Sequence, residues 1–207
     1  MRPLVKGALI GVLACAAVTA TGALVFVKTT GLSARATPGA LETAVARRLR
    51  ALAVPGDYVN RANPVPRNDE SVRNGMAHYA DHCASCHAND GSGNTDMGKG
   101  LFPPAPDMRR AATQDLSDGA LFYIIEHGVR FTGMPAWGNG TVEGEEASWH
   151  LVNFIRHLPG LTAGELDAMA AMNPRPPEEI RQEIEAERFL RGEDPLPQAE
   201  PPPSHGH

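Results

Sequence analysis

The sequence of 207 residues predicts an all-α protein: a small helical body behind an apolar N-terminal helix, with further helices on both sides of the body. Three observations lead there. Apolar residues recur at helical spacing in several separate stretches, residues suited to capping stand where those stretches begin, and Gly, Asn and Pro fill the segments between them. No internal repeat is visible.

The first element is an apolar run from Ala8 to Val27, preceded by Arg2 and Lys6 and closed by Lys28. It matches the roughly 20 residues that cross a bilayer as a helix and exceeds a signal-peptide core. The reading is an uncleaved signal anchor over residues 1–28, N-terminus inside, because the positive residues precede the run. Two rivals are weaker. Ala34-Arg35-Ala36 has the small-x-small form of a cleavage site, but it lies far beyond the apolar core. Val12-Leu13-Ala14-Cys15 has the form of a box before a lipid-modified cysteine, yet the chain stays apolar for another dozen residues. In an anchor, Cys15 is a small buried hydrophobe.

Residues 29–68 read as a juxtamembrane helix and a linker. Thr37-Pro38 is a helix start, and Leu41, Ala44, Val45, Leu49 and Leu52 follow at helical spacing with Arg47, Arg48 and Arg50 among them. Such a basic amphipathic helix either lies on the membrane surface or stands solvated against the main body. Val54-Pro55-Gly56 ends it, and Asn63-Pro64-Val65-Pro66 reads as extended linker.

The body spans 69–160. Ser71 to His82 reads as one helix, and Asn89 to Pro106, dense in Gly, Asn and Pro, as a loop. Ser117 caps a helix through Leu121, Phe122, Ile124 and Ile125 that stops before Gly128. After a loop from Phe131 to Gly140, a helix from Glu145 to Leu158 ends at Pro159-Gly160. Residues 161–207 form an acidic tail. Thr162-Ala163-Gly164-Glu165 has the form of a capping box, Pro177 opens a helix with Ile180, Ile184 and Phe189 on one side, and the chain from Glu193 is Pro-rich, polar and read as disordered. His205 and His207 sit in that terminus, where an unstructured end is a simpler reading than a weak copper or zinc site.

Net charge is −5, unevenly spread: +7 up to Arg67, −6 from Asp69 to Gly160, and −6 from Leu161 onward. A basic juxtamembrane part therefore precedes an acidic body. Without a basic stripe the body is excluded as a nucleic-acid binder. Aromatic residues make up only 5% of the chain, thin material for an apolar core unless a cofactor fills its middle.

The chemistry lies in Cys83-Ala84-Ser85-Cys86-His87, the attachment signature of a c-type haem. Two thiols three residues apart at a helix end reach the vinyl groups on one side of a porphyrin, and the next residue projects an imidazole toward the iron. A zinc site would want a second pair of Cys or His, and the body holds no further cysteine. A thioredoxin-like pair would want a βαβ context, which helix and Gly-rich loop do not supply.

With that motif, the stretch from Asp69 to Gly160 resembles the class I cytochrome c family. A helix leads into Cys-Ala-Ser-Cys-His; a Gly-rich loop (Asn89-Asp90-Gly91-Ser92-Gly93) and a Pro-rich segment (Phe102 to Asp107) follow; then come a helix ending at Gly128, Gly133-Met134-Pro135-Ala136-Trp137, and a closing helix. Ala88 departs from the Gly that many members carry. The resemblance implies a small cytochrome c fold, three to four core helices around one covalent haem c, with Cys83 and Cys86 as thioethers, His87 as proximal ligand and Met134 as distal ligand. Imidazole and thioether together give a six-coordinate iron of raised potential. The other nitrogen of His87 needs an acceptor, which in the family is a proline carbonyl, here Pro103 or Pro104. Trp137 is expected near the haem edge or its propionates, or else as core filler. Gly75 and Phe154 match the family's close helix crossing.

Met97, Met108, Met169 and Met172 lack the Gly-Met-Pro setting and read as packing or surface residues; His78, His82, His127, His150 and His157 likewise lack a ligand motif. The expectation is a membrane-tethered monohaem carrier of single electrons on the periplasmic face of a bacterial inner membrane, with redox protein partners that present a basic docking face and no small-molecule substrate. Its rivals are a fixed cytochrome subunit of a larger oxidase or dehydrogenase, and a haem-based gas or redox sensor with a displaceable Met134.

Overall fold

The computed structural model describes residues 3–193, so Arg2, the Pro-rich end, His205 and His207 lie outside the described residues. The described residues form helices and loops, without strands. Helix α1 (Pro3–Thr30) runs unbroken through Cys15. Its apolar stretch Val5–Thr29 would extend about 38 Å at the α-helical rise, enough to cross a bilayer. The hydroxyl of Thr29 donates to the Val25 carbonyl at 2.8 Å, which satisfies a polar group inside an apolar helix.

Helix α2 (Ala40–Ala53) starts two residues later than Thr37-Pro38 suggests, where the Glu42 carboxylate accepts from the Gly39 amide at 3.3 Å. A single turn, α3 (Gly56–Val59), follows. The segment read as linker packs onto the body. Tyr58 lies against Phe122 at 6.3 Å and Tyr123 at 5.0 Å, and the Arg61 guanidinium sits 4.9 Å from the Phe122 ring centre and 5.3 Å from that of Trp149. Asn63 donates to the Trp149 carbonyl and to Asn153 Oδ1 at 3.0 Å, while Asn153 Nδ2 donates to the Val65 carbonyl and to Ser71 Oγ. These partners are close only once the body has folded.

The body is built on two crossing helices, α4 (Asp69–His78) and α9 (Val142–His157). Asn68 caps α4 by accepting the Ser71 amide at 2.8 Å, and the Ser71 hydroxyl reciprocates toward the Asn68 amide. At the crossing a Cβ on Gly75 would collide with the His150 carbonyl and Phe154 Cβ. Only glycine permits that approach, which is the reason to accept its helix cost of about 1 kcal/mol. One turn on, buried Tyr79 meets Phe154 at 5.0 Å.

The chain does not run into the cysteines as plain α-helix. Tyr79–Cys83 is a π-helical turn in which the Ala84 amide donates to the Tyr79 carbonyl, and the one-turn α5 (Ala84–His87) follows. Two short helices break the Gly- and Pro-rich stretches: α6 (Asp96–Gly100), capped by Thr95 at 2.8 Å from the Gly98 amide, and α7 (Ala111–Gln114). Helix α8 (Asp118–His127) is capped by Ser117 and ends at Gly128, φ +65°. Phe122 of α8 stacks on Trp149 of α9 at 4.1 Å and completes the core. Helix α9 begins three residues earlier than the apolar pattern suggests because Thr141 accepts the Gly144 amide at 3.0 Å.

Helix α10 (Ala163–Met172) opens with the expected capping box, and its Met169 is fully buried in the core. Glu165 closes that box and also meets His157 Nε2 at 2.7 Å; these contacts, Thr162 first, hold its carboxyl below the usual range. Helix α11 (Pro177–Leu190) starts at Pro177 and keeps Ile180, Ile184 and Phe189 exposed.

Candidate haem site

Cys83, Cys86 and His87 occupy one and a half turns around the π-helical turn and α5. The two cysteines are free thiols, each partly buried. Burial, and then the neighbouring Cys86, push the Cys83 thiol up to about 12. A thiol in that setting stays neutral at pH 7, and a thioether at the same place carries no charge at all.

The turn is braced from behind by the Gly-rich loop. The Gly93 amide donates to the His87 carbonyl at 2.8 Å, and the Thr95 hydroxyl donates to the Cys86 carbonyl at 3.1 Å. Gly98 lies so close to the Cys86 carbonyl that a Cβ would clash. The Tyr79 hydroxyl donates to the Ala88 carbonyl at 3.0 Å; burial raises its pKa well above the ordinary value, so it is a donor at every relevant pH. Ala88 itself sits at φ +60°, ψ 157°, a region close to glycine-only. The family's usual Gly thus has a local conformational reason, and this chain carries the strain of Ala.

His87 is largely enclosed, and its Nδ1 is buried without a hydrogen bond of normal geometry. Burial lowers its pKa, opposed by the backbone of Pro106, which has no N–H and therefore acts through its carbonyl. That corrects the expectation of Pro103 or Pro104 at this ring. The reason lies in the loop: Gly93, tied to the His87 carbonyl, leaves room for the backbone of Ala105 and Pro106, and the Ala105 amide donates to the Gly98 carbonyl at 2.9 Å. Pro103 and Pro104 lie earlier in this turn, Pro103 joined to Phe102 by a cis peptide bond. The next residue, Asp107, is clamped. Arg109 donates to it at 2.8 Å and 3.0 Å and to Asp90 at 2.8 Å, so the Pro106 carbonyl is fixed from both sides of the loop. Arg109 first, then Arg110, holds the Asp107 carboxyl far below the usual carboxylate range.

Met134 comes from a different part of the chain. It is half-buried in the loop between α8 and α9, with its amide donating to the Thr132 hydroxyl at 3.1 Å and its carbonyl accepting from the Val129 amide at 3.1 Å. The loop is pinned to the end of α8 by amides of Trp137 and Gly138 donating to the Ile125 and Glu126 carbonyls, each at 3.0 Å. Gly128 lies against the Met134 and Pro135 backbone, and Gly133 against the Leu101 side chain. Trp137 is neither core filler nor isolated: 41% exposed, it stacks on His82 at 5.4 Å, the residue before Cys83, and so ties this loop to the cysteine turn.

The other methionines lie elsewhere. Met108 and Met169 are in the core, while Met97 and Met172 are exposed. Among the histidines, His78 is exposed beside His82, His127 meets the Tyr58 ring edge-on, His150 lies by Glu146 and His157 pairs with Glu165. Among the described residues no three of His, Cys, Asp and Glu gather to hold a metal ion, so the zinc alternative has no ligand set. Two sulfurs and an imidazole within five residues, a buried ring nitrogen without a hydrogen bond of normal geometry, and a thioether-bearing loop tied across to that turn are a donor set that fits one covalent haem.

Fold and motif therefore define a c-type cytochrome domain. Residues 70–155 match the family model described as cytochrome c oxidase, cbb3-type, subunit III. Residues 70–155 thus form a c-type cytochrome domain, of a haem-binding kind suited to electron transfer, behind an N-terminal helix long and apolar enough to cross a membrane.

Proposed function

We propose that this chain relays single electrons between redox proteins on the periplasmic face of a bacterial inner membrane, and that it is a carrier rather than an enzyme in itself. The observation that supports this most is the link from the Met134 loop, through Trp137 on His82, to the turn that bears Cys83, Cys86 and His87. When bound, the haem iron supplies the one-electron chemistry by alternating between its ferrous and ferric states. The protein's part is to hold and enclose. Cys83 and Cys86 would carry the thioethers, and His87 from the braced side and Met134 from the loop would be the ligands. The Pro106 carbonyl orients the imidazole. With Met134 as a ligand, no position would be left open for an exogenous one, which would suit relay rather than gas sensing.

The acidic body is suited to partners with a basic docking face, and their association should weaken with salt. The family match favours a second reading, a fixed subunit of a terminal oxidase, for which co-purification with the other subunits is the decisive observation. The relay reading is tested by the visible spectrum of the reduced protein before and after carbon monoxide. A sharp low-spin spectrum indifferent to the gas is expected; a shifted one would hand the site to the sensor reading.

A further inference from the structure

Helix α2 carries an apolar face that nothing in the body covers. Leu41, Val45, Leu49 and Leu52 fall within an arc of about 80° at the α-helical pitch, and they are 79%, 49%, 61% and 82% exposed. Thr43 and Arg50, the half-covered residues of α2, lie on the opposite side, so this helix has a protected side and an open one. Charge points the same way. From Lys28 to Gly56 the chain carries Lys28, Arg35, Arg47, Arg48 and Arg50 against a single acid, Glu42. Arg48 lies beside the apolar stripe, where its stem can rest on an apolar surface while its guanidinium reaches headgroups.

Position supplies the occupant. Only residues 31–39 separate the end of α1 from the start of α2, a reach of at most about 30 Å even if fully extended. At its other end α2 passes through buried Val54 directly into α3, whose Tyr58 is fastened to Phe122. We infer that α2 is an interfacial helix: it lays its Leu41–Val45–Leu49–Leu52 face into the anionic phospholipid surface of the membrane that α1 crosses, and so holds the haem domain close to that surface. A solvated tether would gain nothing from a leucine face, and an acidic body beside an anionic surface needs a basic element to keep it there.

The test uses the full-length holoprotein in nanodiscs containing phosphatidylglycerol. In a Cys15→Ser background, with Cys83 and Cys86 taken up by the haem, a nitroxide is placed on Leu49→Cys and, separately, on Arg47→Cys. Co-elution of haem with the discs reports the α1 anchor independently of the label. The Leu49 label is expected to collide with oxygen and to lose contact with a water-soluble nickel chelate; the Arg47 label should do the reverse. That protection should weaken in high salt and in discs of phosphatidylcholine alone. A Leu49 label as open to the chelate as the Arg47 label would overturn the inference. So would a Leu49 label shielded from both relaxants, which would place the face against protein.

Discussion

The two halves of the proposed haem site are built in opposite ways. The His87 side is five contiguous residues at the end of a helix, braced by Gly93, Thr95, Gly98 and Tyr79 and locked by the Arg109–Asp107–Asp90 clamp. The Met134 side is one residue in a loop held by main-chain bonds to the end of α8, and it carries Phe131, 93% exposed at φ +61°. One half is a rigid mount formed by local sequence; the other depends on α8, α9 and the Trp137–His82 stack all being in place. Displacing a ligand should therefore be far easier on the Met134 side.

The largest effect expected comes from Met134→Ala. It should leave covalent haem attachment intact, lower the reduction potential and create a carbon monoxide-binding ferrous form, all visible in one spectroscopic titration.

Next is Gly75→Val, which tests the helix crossing behind the His87 side. Because the added carbons meet the His150 backbone and not a mobile side-chain tip, thermal unfolding should report a loss of about 3 kcal/mol or more. Ala88→Gly should do the opposite. It relieves a φ of +60° and, after the entropy that glycine adds to the unfolded chain, should stabilise by about 1 kcal/mol.

The smallest effect concerns the clamp. Asp107 has a carboxyl pKa depressed by Arg109, so its contribution is complete above the unfolded value of about 4 and is lost as pH falls through the lower folded value. Asp107→Asn should cost about 1 kcal/mol at pH 7, and the difference from wild type should vanish in acid. Denaturant titrations at the two pH values measure it.

Legibility followed the same division. The pentapeptide and the Ser117, Thr162 and Pro177 helix starts could be read directly, because each rests on residues adjacent in sequence, and the Gly75–Phe154 crossing could be read only through the family resemblance. The Pro106 carbonyl could not, since which of several prolines faces His87 depends on how Gly93 and Gly98 fold the loop. The Thr95-x-x-Gly98 start of α6 was a usable signal, whereas the π-helical turn at Tyr79–Cys83 is a matter of backbone hydrogen bonding with no side-chain signature. The packing of Tyr58, Arg61 and Asn63 has no local signature, because an extended segment rich in Pro and Asn reads the same whether it is docked or free. Trp137 pairs with His82 across 55 residues, and neither residue announces the other.

The central claim is that iron is held between His87 and Met134, and X-ray absorption fine structure at the iron edge tests it most directly. The wild-type protein should show one sulfur ligand among nitrogens, and Met134→Ala should lose that sulfur alone. A wild-type iron without sulfur, or a sulfur that survives the substitution, would contradict the assignment.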